Sequence, residues 1–163
     1  MEAYRIRRVS GEELPECLAV IRGSFQTVAE DFGLTEENCP GHTSFMAPER
    51  LEAHFTQGWQ MYGMERDGRL IGCYALSRAD ENRFELHNLA VLPEHRHCGC
   101  GKRMLEDAKA RVLSQGGRAI AIGIIEESAV LKCWYMGNGF VSTGTQLFPH
   151  LSFTVGFLEW TAK

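Results

Sequence analysis

Residues 89–108, LAVLPEHRHCGCGKRMLEDA, are the stretch on which the fold turns. They begin as the end of an apolar strand, break at Pro93, and resume as an amphipathic helix. Met104, Leu105, Ala108, Val112 and Leu113 form that helix's apolar stripe. Between strand and helix stand Arg96, His97, Cys98, Gly99, Cys100, Gly101 and Lys102. Glycines at such a junction let the backbone pass close to a ligand. The unpaired N–H groups of the first helical turn, at the positive end of its dipole, suit an anion such as a phosphate. Lys102 and Arg103 add positive charge at the same spot. Two other phosphate loops do not fit. A P-loop needs glycine at position 96 and Ser or Thr after Lys102, whereas Arg96 and Arg103 stand there. The dinucleotide fingerprint GxGxxG fails at Met104. What remains is Arg-x-x-Gly-x-Gly, at Arg96, Gly99 and Gly101.

Working outward, the hydrophobic spacing predicts a strand over 3–9, a helix over 12–29 and a second helix over 49–57, with a Gly- and Pro-containing loop at 31–47. Strands follow at 60–66, 69–77 and 83–92. The first two are joined by Asp67-Gly68, a pair suited to a tight hairpin turn. After the helix at 102–115 come a nearly all-apolar strand at 118–125, a short helix at 128–136, and strands at 140–146 and 151–160. The order β-α-α-β-β-β-α-β-α-β-β is that of a mixed α+β chain with one central sheet, and 163 residues suit one domain spanning 1–163.

Charge narrows the function classes. Seventeen basic residues against 21 acidic ones, with no basic block, argue against a nucleic-acid binder. No apolar run approaches the ~18 residues of a membrane span, and the first nine residues have no signal-peptide core, so a cytoplasmic location without membrane association is expected. The six cysteines contain no CxxC pair and read as reduced thiols used as small apolar fillers. His95, His97, Cys98 and Cys100 (HxHCxC) invite a metal, but no second ligand pair accompanies them, so none is expected.

With Arg96, Gly99 and Gly101 placed between a strand and an amphipathic helix, the chain resembles the GCN5-related N-acetyltransferases (GNAT). Downstream, Leu131-Lys132-Cys133-Trp134-Tyr135-Met136-Gly137-Asn138-Gly139-Phe140 is similar to that family's "LYEKLGF" segment. The resemblance implies a GNAT-like acyl-CoA N-acyltransferase fold, a mostly antiparallel twisted sheet flanked by about four helices. It also implies acetyl-CoA as co-substrate. The pyrophosphate would be bound by the loop Arg96, His97, Cys98, Gly99, Cys100, Gly101 and Lys102, and the oxyanion and pantetheine by backbone N–H groups of Leu89, Ala90 and Val91. Ser128 would contact the pantetheine arm where many members carry Asn.

Acyl transfer to an amine needs a neutral amine, an oxyanion donor and a proton for the leaving thiolate. By resemblance Tyr135 lies beside the sulfur, and a phenol of reference pKa about 10 can donate at neutral pH. Glu85 matches the glutamate base of the histone-acetylating branch. His87, with a reference pKa of about 6.5, would also be a good base, and water-mediated deprotonation stays open. Strand alternation puts Glu85, His87, Leu89 and Val91 on one face, with Leu86, Asn88 and Ala90 on the other. Trp134 is expected in the core.

Acidic Glu30, Asp31, Glu36 and Glu37, near Phe25, Phe32, Phe45, Phe55, Trp59 and Phe148, suit a cationic small-molecule amine, though solvated loop charge explains them as well. The reading is an acetyl-CoA-dependent N-acetyltransferase acting on a primary amine of a small molecule or peptide. The alternative is a CoA-binding sensor without turnover. Monomer or homodimer is left open.

Overall fold

A computed structural model describes residues 3–163. Strands β1 (Arg5–Arg8), β2 (Gln60–Arg66), β3 (Arg69–Arg78), β4 (Arg83–Val91), β5 (Ala119–Ile125), β6 (Val141–Leu147) and β7 (Thr154–Thr161) form one sheet in the order β1-β2-β3-β4-β5-β7-β6. All neighbours are antiparallel except β4 and β5. Among the described residues there are four α-helices: α1 (Leu14–Phe32), α2 (Pro48–Thr56), α3 (Cys100–Ser114) and α4 (Ala129–Gly137). The α+β class and the element order match the sequence reading.

Each face of the sheet has its own core. Met104, Leu105, Ala108 and Val112 of α3 pack with Tyr74, Leu76, Phe84, Leu86, Ile120 and Ile122. On the opposite face Leu14, Cys17, Leu18 and Ile21 of α1 meet Leu51, Met61, Leu70, Cys73 and Ala75. A polar lock fixes α3 on the sheet: the Tyr74 hydroxyl donates to Asp107, which also accepts from Arg111 Nε at 2.7 Å. The Arg111 guanidinium in turn lies over the Tyr62 ring.

The ends of elements differ from expectation for local reasons. Helix α1 runs on to Phe32 because the residue that stops it is Gly33, which takes φ 64° and returns its N–H to Ala29 and Glu30. Helix α3 starts at Cys100 rather than 102 because Gly99, at φ 81°, makes the turn into it. Strand β7 begins only at Thr154. Leu151 and Phe153 instead pack with Ala29, Leu34, Cys39 and Ile125, closing the β6–β7 connection onto the end of α1. The hairpin at Asp67-Gly68 forms as read, with φ 53° and 76°.

Gly72 of β3 tests the fit of α3 and β4. A Cβ there would lie 2.9 Å from the Ala90 carbonyl oxygen and 2.9 Å from Met104 Cε. Gly72→Ala should lower stability by about 1–3 kcal/mol, as overpacking does, read as a drop in the urea midpoint at unchanged m-value.

Candidate active site

Two irregularities in β4 shape the site. Its pairing with β5 stops after Arg83–Ala119, Phe84–Ile120 and Glu85–Ala121, whereas β5 and β7 stay paired from Ala119 to Ile125. The two parallel strands therefore part beyond Glu85. The second irregularity is a bulge. Ala75 pairs with His87 and Cys73 with Ala90, so Asn88 and Leu89 stand opposite Tyr74 alone, and Asn88 takes φ 53°. The extra residue reverses the alternation. Leu89 and Val91 pack on the α3 face with Phe84 and Leu86, while Ala90 lies on the α1 face. The expectation that Glu85 and His87 share a face with Leu89 and Val91 is thus corrected, because a bulged strand loses its period of two. Leu89 has a register partner on neither side.

The glycine loop hangs from this strand by Arg96. Its guanidinium donates to the Val91 carbonyl (3.1 Å), Thr27 Oγ1 (2.9 Å), the Ser24 carbonyl (2.6 Å) and Ser24 Oγ (3.2 Å). Every one of these bonds points into the protein, so the side chain ties loop, β4 and α1 together, and what the loop presents outward at this position is its backbone. Val91 is similarly engaged. Its N–H donates to Ser24 Oγ (3.2 Å), whose own hydroxyl donates to the Val91 carbonyl (3.0 Å), so this N–H is not presented free. Ser24 and Thr27 carried no sequence signal, since their partners lie far along the chain.

Beyond Arg96, His97 takes φ 62° and Gly99 φ 81°, a backbone turn that brings the chain to α3. No side chain caps α3, and Arg103 N–H to the Gly99 carbonyl is its first return bond, which leaves the N–H groups of Cys100, Gly101 and Lys102 for another acceptor. His97, Cys98 and Lys102 are exposed; the Cys98 thiol donates back to the Arg96 carbonyl, and Cys100 is buried in the α3-face core. The Lys102 side chain has no partner among the described residues and lines a cleft of about 620 Å³ with Ile6, Gly99, Arg103, Glu106 and Asp107. Arg103 turns away to the Tyr4 carbonyl.

Helix α4 brings Tyr135 beneath the same face. Its ring is 6% exposed and meets Trp134 and Phe140 edge-on. Its hydroxyl has no hydrogen-bond partner among the described residues, and burial pushes the phenol well above its usual pKa, so it stays protonated. Trp134 is partly buried against the core, near Gly101. Ser128 precedes α4 as its N-cap residue, with a side chain that forms no capping bond.

Glu85 and His87 lie on the other face, the side of α1 and α2. Glu85 is half-exposed, and its Oε2 is 3.6 Å from His87 Nε2, which shares a 2.8 Å hydrogen bond with Ser77 Oγ. Burial, then the nearby His54, lower the His87 pKa to about 4. The imidazole is therefore neutral at pH 7 but a weak base, which corrects the expectation of a good one. The rest of this face is open: Gly123 is exposed, Ala121, Val155 and Phe157 are part-buried, and Arg83 bridges to Glu159 at 3.0 Å. The acidic group Glu30, Asp31, Glu36 and Glu37 is exposed to solvent, while Phe25, Phe55 and Trp59 pack against the core. Among the described residues no three His, Cys, Asp or Glu side chains converge on a metal position, and no helix is long and apolar enough to cross a membrane.

The model of the "Acetyltransferase (GNAT) family" matches residues 26–137. An amino-acid acetyltransferase of Azotobacter vinelandii is 34% identical over 87 residues, which is 53% of this chain but only 19% of that relative. An uncharacterized N-acetyltransferase of Lactobacillus delbrueckii subsp. lactis is 23% identical across 91% of this chain and 90% of its own length. Two solved structures share the fold. The ribosomal-protein-S18-alanine N-acetyltransferase of Escherichia coli has a TM-score of 0.79 at 12% identity, covering 99% of this chain and 95% of that one. PaiA N-acetyltransferase of Thermoplasma acidophilum, in complex with coenzyme A, has a TM-score of 0.77 at 21% identity, covering 98% and 99%.

The depressed pKa of His87 has a stability consequence. Below about pH 6.5 the unfolded chain takes up a proton that the folded site refuses until about pH 4, so this group's contribution falls as pH falls through that window. Urea midpoints of the wild type should drop between pH 7 and pH 4.5 by more than those of His87→Gln, and parallel curves would contradict the assignment.

Proposed function

This chain belongs to the GNAT family of acetyltransferases, and we propose that it transfers the acetyl group of acetyl-CoA to a primary amine of a small molecule or peptide by direct attack on the thioester. The observation that carries the reading is the parting of β4 and β5 beyond Glu85, on the strand that leads into the glycine loop and the uncapped start of α3. The residues present fit the co-substrate: the N–H groups of Cys100, Gly101 and Lys102, with the Lys102 ammonium, would hold its pyrophosphate, and Ser128 the pantetheine arm. Acetyl-CoA supplies a thioester whose carbonyl carbon accepts the amine and whose sulfur leaves as a thiolate.

The chain's own groups then do three things. Leu89, without a ladder partner, offers its backbone N–H to the negative charge developing on the carbonyl oxygen. Glu85 accepts a proton from the acceptor ammonium, directly or through water. Tyr135, kept protonated by burial, donates to the departing sulfur. Acid and base thus stand on opposite faces and meet through the parted strands. The name of the amino-acid acetyltransferase relatives supports an amino-acid-like acceptor. Glu85 beside the open face of Ala121, Gly123 and Phe157 supports one that is cationic with an apolar part.

Three measurements test this. A panel of lysine, alanine amide, spermidine and phenethylamine, assayed by thiol release from acetyl-CoA, should yield at least one acceptor. Tyr135→Phe keeps the ring packing, so acetyl-CoA affinity should persist while kcat falls ~100-fold; an unchanged kcat with chemistry limiting would leave Tyr135 a packing residue. Gly99→Val places a branched side chain at φ 81° and should weaken acetyl-CoA at least tenfold in calorimetry, about 1.4 kcal/mol.

A further inference from the structure

Three aromatic rings stack face to face next to Glu85. Trp59, just ahead of β2, lies with its ring centroid 3.7 Å from that of His54 on α2 and 3.8 Å from that of His87 on β4, at interplanar angles of 8° and 13°. The indole is therefore clamped between two imidazoles. His54 Nδ1 is buried with no hydrogen-bond partner among the described residues, so the stack, not a hydrogen bond at that nitrogen, seats this ring. At the far end His87 is held by Ser77, with Glu85 Oε2 3.6 Å away.

We propose that Trp59 and His54 are positioning residues for proton removal: their stack holds His87 in place and uncharged, so that the Glu85 carboxylate beside it remains an unneutralised base. The inference rests on the reading of Glu85 as the group that accepts the amine proton. An imidazolium 3.6 Å from the carboxylate would stabilise its charged form, lower its proton affinity and hold it in an ion pair. The surroundings work against that cation. Trp59 covers a face of His87 and keeps water from it, and desolvation disfavours the charged ring. His54 behind the indole adds a like-charge penalty, and is itself held towards its neutral form by burial and by Arg50. The titratable and charged groups around the stack are thus Arg50 and His54 on α2 and Glu85 on β4, with the Ser77 hydroxyl on β3; of these Glu85 favours the imidazolium. The proton balance is simple. The acceptor ammonium loses one proton to Glu85, which becomes a carboxylic acid and later returns that proton to water, and His87 gains and loses none.

The test is carried out on the whole chain with isotope-labelled histidine and glutamate. In Trp59→Leu the NMR titration midpoint of His87 should rise by at least one pH unit. With the best acceptor of the amine panel, the acidic limb of the kcat/KM profile should move to higher pH, and the KM for acetyl-CoA should stay within twofold. Trp59→Phe, which restores a stacking ring, should return both readouts most of the way. His54→Leu removes only the outer ring and keeps the question open to test if Trp59→Leu does not fold; it should produce the same shifts, smaller. An unmoved His87 midpoint in these variants overturns the proposal, as does a moved midpoint with an unmoved rate profile. Glu85→Gln separates the two levels. Wild-type rates in that variant remove the base reading itself, whereas a loss there with an unmoved profile in Trp59→Leu removes the stack's role alone.

Discussion

Opposite the single residue Tyr74, β4 must accommodate both Asn88 and Leu89, and it does so by letting Asn88 take a positive φ. That one extra residue divides the strand into two halves of opposite phase. Before it, Phe84 and Leu86 bury under α3 while Glu85 and His87 look towards α1 and α2. After it, Leu89 and Val91 bury under α3. A regular strand could not put a carboxylate on one face and a leucine of the same parity on the other. The bulge also leaves Leu89 without a register partner of its own, because it shares Tyr74 with Asn88 on one side and the pairing with β5 has already ended on the other.

The strand end is held by a second constraint, a polar tie across the chain. Arg96 gathers Val91, Ser24 and Thr27 with four hydrogen bonds, and Ser24 both donates to and accepts from Val91. Charge-assisted bonds of this kind exceed neutral ones in strength. Their effect is to fix where the loop leaves β4, and hence where the open first turn of α3 points. The arginine at this position therefore acts on the course of the loop backbone.

Burial tunes the two ionisable partners in opposite directions. A neutral phenol is its uncharged form, so desolvation raises the Tyr135 pKa and keeps the hydroxyl protonated. A neutral imidazole is also the uncharged form, so the same desolvation lowers the His87 pKa and removes a cation from beside Glu85. Glu85 itself remains half-exposed to solvent.

The amino-acid sequence by itself determined the order of elements, the turn at Asp67-Gly68, the glycine loop ahead of α3, and the strand and helix that carry Glu85 and Tyr135. Each of these depends on spacing or on backbone freedom within about ten residues, where helical and strand periods and positive-φ glycines act. Only the tertiary structure decided which way β4 faces after Asn88, that Arg96 turns inward, that Val91 spends its N–H on Ser24, and that His87 is a weak base. These depend on residues brought together from distant parts of the chain: Ser24 lies 72 positions from Arg96, and the indole of Trp59 reaches His87 only because β2, β3 and β4 are paired side by side. A local pattern carries no record of such neighbours, and a pKa follows the neighbours more than the residue type.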